Sequence, residues 1–270
     1  MKQTVEKMAS LQLTAVLLIL LLVWFAAGGI LAVSDGCAGA FDAMNRQLLR
    51  DWMMANGRWP WAANAWMFGL FAVMGVLGIN LGCCVWRKMT GMVRSGRPVA
   101  SRLMLVLHLA FGVLILLHLG SFMLGYRQEG IRLKPGKTMS LPDGSQLRLD
   151  RVHFVDNPDV LALSFRKLTR ENFSFDENHA WVTLSKNGRD LFSGPAGIMR
   201  PLRWGDTQVT LKKFKPARGG RQGGASPAGF GAVMVVTKNP CLRPILVFFP
   251  ILIVSTAVYL VLTWRTKHFN

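Results

Sequence analysis

The chain of 270 residues is 51% hydrophobic and only 17% charged, with a mean hydropathy of +0.31, whereas an ordinary soluble domain carries roughly a quarter charged residues. A purely soluble protein is excluded by that balance. The net charge of +18 points instead to a surface suited to anionic lipid, an acidic partner or an anionic ligand.

In chain order, the first apolar run is Leu11–Val33, and a helix of roughly 20 such residues crosses about 30 Å of hydrocarbon. Its 23 residues exceed the roughly 7–15 of a signal-peptide core, so it reads as a retained anchor. Lys2 and Lys7 precede it; Asp35 lies two residues before Cys37, which argues against a lipoprotein cleavage site and makes Cys37 an ordinary thiol. A loop follows in which Arg46, Arg50 and Arg58 balance Asp35, Asp42 and Asp51. The tryptophans at 52, 59, 61 and 66 read as an interfacial aromatic belt.

The second run, Ala62–Val85, carries Asn80 within its apolar stretch and the thiol pair Cys83 and Cys84 at its end. An amide in hydrocarbon needs a partner, so Asn80 marks helix packing or a lined cavity. Next come Arg87, Lys88, Arg94, Arg97 and Arg102 without a single acid, a bias that places this loop in the cytoplasm. The third run, Leu103–Gly125, contains His108 and His118. An ionisable side chain at that depth marks a functional site. Ten residues apart, the two lie about 15 Å from each other along a helix and are rotated by roughly 80°, so they cannot ligate one metal from the same helix.

The polar stretch Tyr126–Arg243 holds 20 Lys and Arg against 10 Asp and Glu. Apolar residues recur there at period two and turn residues interrupt them, the pattern of strands. Ser145–Val155 reads as one strand, Ala180–Phe192 as a hairpin turning at Asn187-Gly188, and Gln208–Phe214 and Phe230–Val236 as two more around a flexible basic loop at Gly219–Gly229. His153 and His179 are far apart in sequence and read as surface or structural residues. No catalytic triad, zinc spacing, phosphate loop or carboxylate pair stands out. The fourth run is Pro244–Trp264, followed by Arg265 and Lys267.

The expected architecture is a polytopic α-helical membrane protein with four transmembrane helices (about 11–33, 62–85, 103–125 and 244–264) and an inserted all-β domain, an antiparallel sandwich or open barrel. Residues 1–125 form the three-span part, 126–243 the β-domain, and 244–270 the last span with its tail. Both termini are expected in the cytoplasm. The β-domain then lies across the bacterial inner membrane, in the periplasm, where nucleic acid is not a partner. Cys37 and Cys241, just outside the first and fourth spans, are candidate partners for a disulfide on that oxidising side.

Several segments resemble the ResB (CcsB) family of system II cytochrome c biogenesis: Ser10-Leu11-Gln12-Leu13 before a span ending in Gly28-Gly29; the block Trp66…Asn80-Leu81…Cys84…Arg87; Leu107-His108-Leu109-Ala110-Phe111-Gly112; Pro135-Gly136-Lys137…Leu141-Pro142; and Asn239-Pro240. The order of three spans, β-domain and one span is similar as well and is the most distinctive part of the likeness. The resemblance implies a haem-handling subunit that works with a ResC/CcsA-type membrane protein to export haem and attach it to apocytochrome c. It also implies haem b, in transit or resident, with His108 as axial-ligand candidate and His118 as a weaker one. The chain lacks the tryptophan-rich motif of the partner type, so ligation would belong to the complex rather than to this chain. Two other readings stay open: a membrane-anchored b-type electron carrier, and a scaffold subunit without a cofactor.

Overall fold

The computed structural model describes residues 9–55, 57–95, 99–163, 167–216 and 230–268. Lys2, Lys7, Arg97 and the basic loop at 219–229 lie outside the described residues. The element order is α1 (Leu11–Val33), α2 (Ala38–Arg46), α3 (Leu49–Met54), α4 (Trp61–Ser95), α5 (Val99–Leu124), eight strands, and α6 (Leu242–His268). Four segments, Gln12–Val33, Trp61–Arg87, Arg102–Leu124 and Leu242–Trp264, are long and apolar enough to cross a membrane. The chain divides into two compact units, one of Met1–Ala43, Met53–Phe122 and Cys241–Asn270, the other of Met44–Trp52 and Met123–Pro240.

In the helical unit, α4 runs ten residues past the apolar stretch and α5 begins before its own. Hydropathy sets where a helix meets lipid, but Arg, Lys and Met are good helix formers and carry the coil on through the basic segment. α1 and α4 pack on one another along their length, with side-chain hydrogen bonds at two levels, one near the start of α1 and one past its middle. At the second level Trp24 Nε1 donates to the Trp66 carbonyl and Trp66 Nε1 donates to the Trp24 carbonyl, each at 2.9 Å. Each indole occupies the space over a glycine of the other helix: a Cβ on Gly28 would lie 2.4 Å from the Trp66 ring, and one on Gly69 would lie 2.1 Å from the Trp24 ring. Small residues that let backbones approach, with polar groups satisfied across the interface, are how helices associate where apolar burial offers no gain over lipid.

The other unit is an antiparallel β-sandwich of two four-stranded sheets. One has the order β1-β8-β7-β6 and the other β2-β3-β4-β5, with β1 Tyr126–Leu133, β2 Thr138–Ser140, β3 Gln146–His153, β4 His179–Lys186, β5 Arg189–Gly197, β6 Leu202–Trp204, β7 Thr207–Pro216 and β8 Phe230–Lys238. Leu147, Leu149 and Val182 from one sheet meet Leu211, Met234 and Val236 from the other in a single core. The hairpin joining β4 to β5 turns at Asn187 and Gly188, with φ of 52° and 73°. Two successive left-handed residues match the twist of the paired strands, which is why Asn-Gly marks such turns. The sandwich also recruits Met44–Trp52 from the loop between the first two spans: Leu48 packs on its core, while Leu49 and Trp52 are each 1% exposed.

The strands nearest the two flanking helices are tied by a charged cluster. Tyr126, the first residue of β1, pairs with Lys238, the last of β8, and both reach Asp143 in the β2–β3 turn. The Lys238 ammonium donates to Asp143 at 2.6 Å, the Tyr126 hydroxyl at 3.2 Å and the Ser145 hydroxyl at 2.5 Å. Burial by itself would raise the Asp143 carboxyl, but the hydrogen bonds from Lys238 and Ser145 outweigh it and hold the group at about 2, below its ordinary 3.8. The same burial, reinforced by the Asp143 charge, raises the Tyr126 phenol. A carboxyl depressed on folding stabilises the native state above its unfolded value and loses that contribution as pH falls through the folded one. Sandwich stability is therefore expected to drop by roughly 2 kcal/mol between about pH 5 and pH 2 from this group. Urea melts across that range should show the loss in the wild type and a much flatter profile in Asp143→Asn.

Candidate functional site

Helix α5 is apolar along its length apart from Arg102, two serines and two histidines. His108 is half-buried and His118 exposed. In each, Nδ1 lies against the carbonyl oxygen four residues back: 2.7 Å to Met104 O for His108 and 2.8 Å to Leu114 O for His118. A carbonyl oxygen only accepts, so the Nδ1 proton is donated there, and in the neutral ring Nε2 keeps its lone pair. That is the arrangement by which proteins orient an imidazole for a metal: one nitrogen held by a backbone acceptor, the other presented outward. The two rings share a helix, but ten residues apart they are rotated by roughly 80° and separated by about 15 Å along it, so they cannot hold one ion together.

The surroundings of His108 include the packing of α5 on α4. Gly112, one turn further along α5, lies beside Leu81, where an added Cβ would come within 3.0 Å of the Leu81 side chain. Residues at i and i+4 share a helix face, which puts His108 on the same side of α5 as this contact. Next to Leu81 on α4, Asn80 is 1% exposed and accepts a 2.7 Å hydrogen bond from the Thr14 hydroxyl of α1. Its amide nitrogen lies 3.5 Å from the Ser10 carbonyl. Both contacts reach from Asn80 on α4 to the start of α1.

The four cysteines form no disulfide. Cys37 is buried, and the Cys241 sulfur lies close to Gly120 of α5, 2.9 Å from where a Cβ on that glycine would stand. Cys83 and Cys84 are half-buried on α4. The tryptophan group is not a belt of one kind: Trp61 is 82% exposed, Trp52 belongs to the sandwich unit, and Trp66 is locked between α1 and α4. The Trp24–Trp66 exchange was not read from sequence, although the spacing Trp24-x3-Gly28 and Trp66-x2-Gly69 carries its signature, a large ring and a gap on each helix. Nor was the meeting of His153 with His179, which face each other across β3 and β4 with ring centres 5.1 Å apart.

Among known proteins, no family model matches the chain and no curated protein does. A solved structure, "Cytochrome c Heme Lyase CcmF", aligns with a TM-score of 0.41 at 12% identity, over 71% of this chain and 30% of that one. The chain thus spans under a third of that protein's length, and a likeness at this level assigns neither fold nor function.

Proposed function

We propose that the chain is a ResB-like membrane subunit that carries haem as cargo across the bacterial inner membrane and presents it for attachment to apocytochrome c, together with a ResC/CcsA-type partner. The observation that carries this reading is His108: an imidazole on an apolar span whose Nδ1 proton is held by the Met104 carbonyl, so that Nε2 is directed away as a ligand. Neutral imidazole is a common axial ligand of haem iron, and an apolar wall suits the macrocycle. His118, exposed on the same helix with the same Nδ1 restraint, is assigned to a second ligation point met as the cargo moves along α5. The second axial position at each histidine falls to the partner.

The order of three spans, β-sandwich and one span agrees with this reading, as do the resembling segments around Asn80 and His108. The basic run Arg87, Lys88, Arg94 and Arg102 sets orientation by the excess of positive charge in cytoplasmic loops, which puts both termini inside and the sandwich in the periplasm. A resident electron carrier is less favoured, because a six-coordinate haem needs imidazoles from two helices and the described spans offer histidines on α5 alone. The visible spectrum of the detergent-purified chain, alone and co-expressed with a ResC-type partner, tests the reading. A Soret band that depends on the partner and is lost or shifted in His108→Ala is expected. Stoichiometric reducible haem in the chain alone would favour the electron carrier, and no haem under either condition would favour the scaffold.

A further inference from the structure

We propose that His153 and His179 form a two-imidazole site for a late divalent transition-metal ion, such as Cu(II), on the outer face of the β2-β3-β4-β5 sheet. This goes beyond haem handling and uses no residue of α5. The two histidines are direct cross-strand partners at the ends of β3 and β4, and their ring centres are 5.1 Å apart with the planes tilted by 35°. Two imidazoles bound to one ion at about 2.0–2.1 Å hold their ring centres roughly 4.5 Å apart at the right angle of a tetragonal Cu(II) site and roughly 5 Å apart as that angle opens toward the tetrahedral one. His153 is exposed and His179 half-buried, so an ion can reach both.

The site is restrained in the way ligands usually are. His179 Nδ1 lies 2.7 Å from the Glu177 carbonyl, which takes the proton there and leaves Nε2 as the ligating atom. The two strand ends that carry the histidines are pinned to one another by a polar network. Val155 N–H donates to the Asn178 carbonyl oxygen at 2.9 Å, Ser174 donates to Asp156 through both its backbone N–H and its hydroxyl at 2.8 Å, and the Asn178 amide donates to Asp156. Asn178 is fully buried. A ligand pair fixed by such supporting bonds loses little freedom on binding a metal.

Local charge is partly balanced although the domain as a whole is basic: Arg200 pairs with Asp176 at 3.6 Å and Glu177 stands two residues before the second histidine, while Arg151, 4.8 Å over the Trp181 ring, keeps its positive charge. Among the described residues no third His, Cys, Asp or Glu completes a cluster. The remaining coordination positions fall to water or to an incoming ligand, so the site is open and exchangeable rather than structural.

The test is a Cu(II) titration of the full-length detergent-solubilised chain in the presence of glycine as a weak competitor, followed by electron paramagnetic resonance. The proposal expects one bound equivalent whose spectrum shows two imidazole nitrogens, with affinity falling at least tenfold in His153→Gln and likewise in His179→Gln. A His108→Ala, His118→Ala, His268→Ala triple variant should bind as the wild type does. Affinity unchanged in either single variant, or a one-nitrogen spectrum in the wild type, would overturn the pair. A thermal melt of each variant confirms the fold before the comparison, and Asp156→Ala, which touches no metal, should weaken binding severalfold if the network positions His179.

Discussion

Truncating Trp52 to alanine is expected to destabilise the β-sandwich unit by about 3–5 kcal/mol, the usual cost of removing a fully buried large aromatic from a core. The residue stands on α3, in the short connection between the first two spans, and is 1% exposed. Its segment, Met44–Trp52, belongs to the sandwich unit although residues 53–125 separate it from β1. A surface-loop tryptophan would cost within about 0.5 kcal/mol, so the two outcomes are far apart. Denaturant unfolding in detergent, followed by near-ultraviolet circular dichroism, separates them. Loss of the cooperative sandwich transition at moderate denaturant supports the assignment of this loop to the sandwich, whereas an unchanged midpoint argues that Trp52 is only a membrane-interface residue.

The second large effect is expected at Gly69. Any side chain there would occupy the space of the Trp24 indole, since even a Cβ falls 2.1 Å from the ring. Gly69→Val should expel the indole and break both indole-to-carbonyl hydrogen bonds, because the two rings form one reciprocal arrangement. Overpacking and the lost bonds together amount to about 2–4 kcal/mol. Gly78 on the same helix has nothing within 4 Å of its Cβ position, so Gly78→Val is the matched control for helix propensity. Tryptophan emission should shift and the α1–α4 pair loosen only in the Gly69 variant. Equal behaviour of the two would remove the reciprocal lock from the account.

Much of the helical part was legible because hydropathy over twenty residues is a strong signal, and Asn80 stood out as an amide in an apolar run. Its partner did not, because Thr14 lies 66 residues away and a threonine in a span is unremarkable. The sandwich was partly legible for a different reason. Its strands alternate only between bulges, and the register shifts in β1, β3 and β7, among others, change the parity. In β3, Leu147 and Leu149 point inward, but after the irregularity between Leu149 and Arg151 the next core residue is Val152. In β7 the same happens between Leu211 and Phe214. In β1 the core positions pass from Tyr126 to Ile131 and Leu133 across a bulge at Gln128–Ile131, with Gly130 at φ +69°. An extra residue of this kind reverses which face each later side chain occupies, so Tyr126–Leu133 shows no period of two and was not read as a strand. The His153–His179 pairing was hidden likewise, since it depends on a register that the bulge in β3 sets. The α2 and α3 helices, at nine and six residues, are too short for periodicity to reveal.

The central claim is that His108 ligates the haem cargo, and chemical rescue tests it most directly. The chain carrying His108→Gly should be purified after co-expression with a candidate ResC-type protein and its Soret band recorded before and after addition of free imidazole. Such a vacated position can be refilled by exogenous imidazole, which restores an axial ligand without the covalent link to α5. The account predicts loss of the band in the variant and its recovery with imidazole. A variant that keeps the wild-type haem content and spectrum without imidazole would contradict it.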